Sequence, residues 1–198
     1  MRDYVWIGRP PVYEVPAGDR QNTIQSFSKT IEKFTTGEIS KKAKAGGLIL
    51  FQMAEYWGDG DRLFGYKMDG ELYGLVSAKI LPDHVHINYL VGHPHSKNAS
   101  KILIGYLLNL CPPGRPIVKL QASEHVKKVY QRIGFSPDSN GVQGSMTLDL
   151  LNSHMAMEHW CIHNNKYFYT EPNPYIPSPP IDSSRSHPFR PSFADYYS

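Results

Sequence analysis

The sequence predicts an α/β domain built on a mixed sheet, and two stretches carry that reading. Residues 63–68, Asp69-Gly70 and residues 71–80 form two strands and a hairpin, because Asp-Gly supplies the positive φ angles of a type I′ turn. Residues 84–91, a polar loop, a helix from Ala99 and a strand over residues 117–121 form a strand-helix-strand unit. Such crossovers are nearly always right-handed and set their strands parallel, so the helix start lies at a strand's carboxyl end, where anions bind. The 198 residues suffice for one domain with a sizeable core and an appendage. Seven of the 16 prolines lie between Pro172 and Pro191, where helix and central strand are both disfavoured. The chain therefore divides into a folded body, residues 1–150, and an aromatic, proline-rich C-terminal extension, residues 151–198.

The elements follow in order. Residues 12–15 suit a strand closed by Pro16. A helix capped by Asn22, with Gln25 in capping-box position, carries Ile24, Phe27, Ile31 and Phe34 at helical spacing until Gly37. A second helix from Ser40 would align Ala43, Gly47, Leu50, Ala54 and Trp57, although residues 48–51 serve equally as strand. After the hairpin, the strand over residues 84–91 places His84, His86 and Asn88 on one face and Val85, Ile87 and Tyr89 on the other. Ile102, Tyr106 and Leu110 share a helix stopped by Cys111-Pro112-Pro113-Gly114. A helix over residues 123–133 ends at Gly134, and a strand over residues 145–150 closes the body.

Composition excludes several functions. Lys plus Arg, 21, against Asp plus Glu, 18, leaves +3, too little for a strong general attraction to nucleic acid or acidic membranes. No apolar stretch reaches a membrane span, and the N-terminal segment lacks a signal-peptide core, so a cytoplasmic protein is expected, with export by another route left open. Two cysteines give no disulfide framework, and His154, His159, Cys161 and His163 fit no standard zinc spacing, so no metal is expected. The lysines at 41, 42, 44, 127 and 128 read as solvated helix faces.

The order hairpin, strand, polar loop, helix, strand, helix, Gly-Phe, strand resembles the GCN5-related N-acetyltransferase family over residues 12–150. Asp69-Gly70-Glu71-Leu72-Tyr73-Gly74-Leu75 is similar to its central hairpin, and Val129-Tyr130-Gln131-Arg132-Ile133-Gly134-Phe135 to its late helix ending. The loop from His93-Pro94 stands where the family binds coenzyme A, but His95 replaces its Arg or Gln, and Asn98 and Ser100 replace its two glycines. Backbone N–H groups must close on the pyrophosphate there, and Asn and Ser keep that geometry open because Asn tolerates left-handed backbone and Ser is small. The resemblance implies a mixed, mostly antiparallel sheet of about six or seven strands with helices on both faces. It also implies acetyl transfer from acetyl-CoA, as cosubstrate, to a primary amine. Coenzyme contacts would come from Leu90, Val91, His95, Ser96, Lys97, Asn98, Ala99 and Ser100, with a backbone N–H at Leu90 or Val91 facing the oxyanion.

On the same resemblance, Tyr130 would serve the departing sulfur, and the position of the family's strand Glu falls on His86 and Asn88. Histidine titrates near neutrality, so His86 is the expected base, with Glu71, Asp83 and His84 as weaker candidates. The family's acceptor contacts come from segments matching residues 21–57 and 136–144, where no diagnostic motif appears. A non-catalytic acyl-CoA-binding or protein-interaction module, and a toxin or effector acetyltransferase acting on a macromolecule, stand as alternatives. Eight aromatics from Tyr167 onward suit an extension that packs on its own body, on a second copy or on a partner.

Overall fold

The structure is a computed structural model, and it describes residues 12–34, 36–138 and 142–170. β1 (Val12–Glu14) leads through one 3₁₀ turn into α1 (Arg20–Ile31). The expected Asn22 cap is not used: Asp19 is the N-cap, and the Asp19 N–H donates to the Pro16 carbonyl at 2.9 Å, so the tight turn brings the chain in before a side chain is needed. α2 (Gly37–Glu55) starts earlier than Ser40 and takes residues 48–51 as helix. Its buried face is Ser40, Ala43, Gly46, Leu50 and Met53, one position away from the Gly47 alignment. The reason is close approach: a Cβ on Gly46 would meet Val91 at 3.2 Å and Ile31 at 3.4 Å, whereas Gly47 faces open space.

β2 (Asp61–Met68) and β3 (Glu71–Ile80) form the hairpin, with Asp69 at φ 52° and Gly70 at φ 82° as its turn demands. β4 (Val85–Gly92), α3 (Ala99–Leu108) and β5 (Ile117–Gln121) form the crossover unit, and β4 pairs with β5 in parallel. α4 (Glu124–Gln131), the two-residue β6 (Ser136–Pro137) and β7 (Ser145–Asp149) follow. The seven strands run β1-β2-β3-β4-β5-β7-β6, antiparallel except at β4–β5. Each sheet face has its own core. α1 and α2 cover one around Phe27, Leu50, Met53, Leu63 and Leu75. α3 covers the other around Phe64, Val76, Leu103, Leu107 and Phe135.

The second core continues past residue 150. α5 (His154–His159) leads into a hairpin of β8 (Trp160–His163) and β9 (Lys166–Tyr169) that packs on α3. Asn164 and Asn165, at φ 49° and 57°, turn it as Asp69-Gly70 turn the first hairpin. Trp160 belongs to the core and is not a surface residue: its indole N–H donates to the Ile133 carbonyl at 2.8 Å, and its ring lies against Gly105. Asn109 holds β9, its side-chain oxygen accepting the Tyr167 N–H at 2.9 Å. His154 and His159 thus sit on a helix and Cys161 and His163 on a strand, and among the described residues no group of three His, Cys, Asp or Glu is placed to hold a metal ion. Among the described residues, no helix is long and apolar enough to cross a membrane. Residues 171–198, the proline-rich part of the extension, lie outside the described residues.

Candidate active site at the split between β4 and β5

Two irregularities of β4 create the site. Its register with β3 runs Lys79↔His86 and Ala78↔Ile87, then resumes at Ser77↔Tyr89, so Asn88 is an extra residue in a bulge. The strict alternation expected for residues 84–91 therefore fails: His86 and Asn88 are not equivalent positions on one face, and beyond the bulge Tyr89 and Val91 turn to the α1/α2 side. At the same level, pairing with β5 stops after Ile87↔Leu120 while β4 continues along β3 to Gly92. The sheet opens between the two strands.

The open edge carries a backbone donor. The His93 N–H donates to the Tyr73 carbonyl at 2.8 Å, and antiparallel strands alternate the side to which each residue turns its N–H. Counting back in the same register, Val91 and Tyr89 turn theirs to β3, and Leu90 and Gly92 turn theirs to the side vacated by β5. Of the two oxyanion positions expected, Leu90 thus faces the gap, and the Val91 N–H is directed into the sheet.

On the α1/α2 side, the split opens into a cavity of about 840 Å³. Tyr56 and Gly58 form one rim, Asn88 and Tyr89 of the bulge the middle, and Gln121, Gln143 and Gly144 the other rim. His86 lines the floor. Its imidazole is held below its usual 6.5, first by burial and then by the nearby His84 and Lys119, so it is neutral at neutral pH. The register places Asp61, Lys79, His86, Lys119 and Thr147 in one row across five strands. Gly144 fixes the far rim: it sits at φ 85°, a Cβ there would lie 2.6 Å from the Ala122 carbonyl oxygen, and its own carbonyl accepts the Ala122 N–H at 2.7 Å. Gly144→Ala is expected to cost about 2–3 kcal/mol in denaturant unfolding, since strained backbone and a backbone clash coincide.

The anion-binding loop is closed without glycine. No residue from 93 to 100 has a positive φ, and Asn98, the N-cap of α3, lies at φ −120°, so the left-handed tolerance expected of Asn is not drawn on. Ser96 Oγ accepts the Ala99 N–H at 3.1 Å, leaving the Asn98 and Ser100 N–H groups ahead of the first acceptor within the helix. Ala99 is buried; Lys97 and His95 are exposed. His93 and His95 both set their rings edge-on to Phe34, at 5.0 and 4.8 Å, which anchors the loop to the end of α1.

The other sequence candidates stand apart from the cavity wall. Tyr130 packs its ring on Phe135 at 5.5 Å, and burial pushes its hydroxyl up to about 12. It does not line the cavity. Asp83 and His84 pair with each other at 2.8 Å in the turn that precedes β4. Glu71 lines a second groove of about 580 Å³ beside α1. Lys79, Tyr56, Gln121 and Gln143 line the cavity without having been singled out in the sequence. The Gly58-Asp59-Gly60 turn was the available signal for the first rim.

Strand order, the bulge and the split define a mixed, mostly antiparallel α/β fold with a polar cavity where its sheet divides, the fold that the resemblance to GCN5-related N-acetyltransferases implied. No family model matches the chain, and no curated protein matches it. Among solved structures it is similar to the "GCN5-Related N-acetyltransferase: Aminotransferase, Class-II" from Rhodopseudomonas palustris, at 22% identity over 73% of this chain and 98% of that one, TM-score 0.47. It is also similar to the PaiA N-acetyltransferase from Thermoplasma acidophilum in complex with coenzyme A, at 16% identity over 69% and 96%, TM-score 0.44. A third is the N-acetyltransferase PseH of Campylobacter jejuni, at 16% over 71% and 99%, TM-score 0.43.

Proposed function

We propose that this chain transfers an acetyl group from acetyl-CoA to a primary amine by direct attack in a ternary complex. The observation that supports it best is the opening of β4 from β5, with the Leu90 N–H turned into the gap and His86 on the adjoining cavity floor. A thioester laid along the open edge of β4 would present its carbonyl to that N–H. The neutral amine attacks the carbonyl carbon, a C–N bond forms, and the oxyanion accepts the Leu90 N–H. His86 takes the proton lost by the amine. The C–S bond then breaks, and the thiolate takes the proton that the Tyr130 hydroxyl, held well above neutrality, still carries. The coenzyme pyrophosphate would meet the N–H groups at the start of α3, with Lys97 adding charge nearby.

Acetyl-CoA is expected to raise the melting temperature of the purified chain, and Tyr130→Phe to lower kcat about 10²-fold with KM for acetyl-CoA unchanged. Equal turnover in that variant removes Tyr130 from the reaction. A non-catalytic acyl-CoA-binding module is favoured by one observation, that Tyr130 stands off the cavity wall. Stabilisation by acetyl-CoA with no thiol release from any amine would select it.

A further inference from the structure

We propose that the acceptor amine carries an anionic group, a carboxylate or a phosphate, seated on the Lys79 ammonium while the amine faces His86. This rests on the acyl-transfer reading of the cavity. Lys79 lies between Asp61 and His86 in the row that crosses the sheet, and it lines the cavity with both. Its stem runs against the α2–β2 loop, where a Cβ on Gly60 would meet Cε at 3.2 Å.

Lys79 forms no ion pair among the described residues, not even with Asp61, its direct cross-strand neighbour. The Asp61 carboxylate is turned to the loop, accepting the Gly58 N–H at 2.8 Å. Glu124, the other acid on the wall, is paired with Lys127. The remaining polar wall, including Asn88, Gln121 and Gln143, is uncharged. Lys119, on the other side of His86 in the row, is paired with Asp138 at 3.9 Å, so Lys79 is the cation on the cavity wall that no ion pair among the described residues compensates. Polycationic amines would place like charge on that floor, whereas an anion would complete charge-assisted hydrogen bonds in a partly desolvated site. Neighbouring strands are about 4.8 Å apart, which sets the scale between the two poles and suits a short acceptor.

The test uses the full chain and matched amines: glycine against glycinamide, and O-phosphoethanolamine against ethanolamine, compared by thiol release at equal free-amine concentration. The anionic member of at least one pair is expected to lead in kcat/KM by about tenfold, and the better pair assigns carboxylate or phosphate. Lys79→Met is expected to erase that lead through KM, Lys79→Arg to restore most of it, and Lys44→Met, on the exposed face of α2, to leave it intact. Equal use of both members of both pairs, or a lead that survives Lys79→Met, overturns the proposal. Binding of the same four amines, read by calorimetry without acetyl-CoA, separates the two layers. If no amine is acetylated but the anionic ones bind and Lys79→Met abolishes it, the acyl-transfer reading fails and the anion seat stands. If no anionic amine is acetylated or bound, the seat fails by itself.

Discussion

His86→Gln lowers kcat/KM for acetyl transfer by about 10²- to 10³-fold, the share a positioned general base supplies. Among the described residues His86 is the one imidazole on the cavity wall, and its environment disfavours the charged form: it is half-buried, and His84, Lys119 and Lys79 oppose a second positive charge against the pull of Asp61. A base must be unprotonated to act. The wild-type rate is therefore expected to hold its plateau at neutral pH and to fall on acidification only through a midpoint below 6.5, because the free-enzyme value is shifted downward. Glutamine fills similar volume and keeps hydrogen-bonding capacity but cannot take the proton, so the variant should lose that acid limb as well as the rate. A full-rate variant, or one that keeps the same limb, assigns proton removal to another group or to solvent.

The second large effect concerns the segment beyond residue 150. Trp160→Ala is expected to destabilise the chain by about 3–5 kcal/mol, since it empties a large core volume beside Gly105 of α3 and Tyr169 of β9. It also leaves the Ile133 carbonyl without the indole N–H that it accepts at 2.8 Å. Trp160→Phe keeps most of the volume and removes the donor, so about 1–2 kcal/mol is expected from it. Denaturant unfolding of the full chain measures both. The two losses should appear as shifts in midpoint with one cooperative transition, because the indole touches the same core as the sheet. A loss under about 1 kcal/mol for the alanine variant would mean that the hairpin over residues 160–169 rides on the domain without supporting it.

Where local chemistry decided the structure, the sequence was readable. Asp69-Gly70 could hardly be anything but a hairpin turn, and Gly134, at φ 97°, turns the chain away from α4, although the helix itself stops at Gln131, two residues short of the expected end. The crossover from β4 through α3 to β5 followed from a helix bounded by polar loop and Pro-Pro-Gly. What escaped was set by contact between distant residues. Gly46 rather than Gly47 faces inward because Val91 and Ile31 are there to meet it, and no periodicity within α2 distinguishes the two. The bulge at Asn88 is an added residue that only the pairing with β3 exposes, and it is what separates His86 from Asn88 and aims Leu90. Asn164-Asn165 was a legible turn signal between aromatic strands that the metal-like spacing around it obscured.

The site was legible in the same uneven way. The family resemblance pointed to His86, and the structure places it among the residues that line the cavity; its part in proton removal is the proposal made above. Lys79 and the amide-bearing rims were not found, since they become neighbours only across strands. The loop from His93 to Ser100 lost its glycines without needing positive φ, because Ser96 and Phe34 hold it in ordinary backbone geometry.

Acyl transfer at the opening between β4 and β5 is read out by a single assay. The purified chain is incubated with acetyl-CoA and a panel of short amines, and coenzyme A thiol release is followed together with mass detection of the acetylated amine. Thiol and acetylated amine formed in equal amounts, both falling about 10²-fold in His86→Gln, is the result expected. No thiol release with any amine, together with no binding of acetyl-CoA, would contradict it.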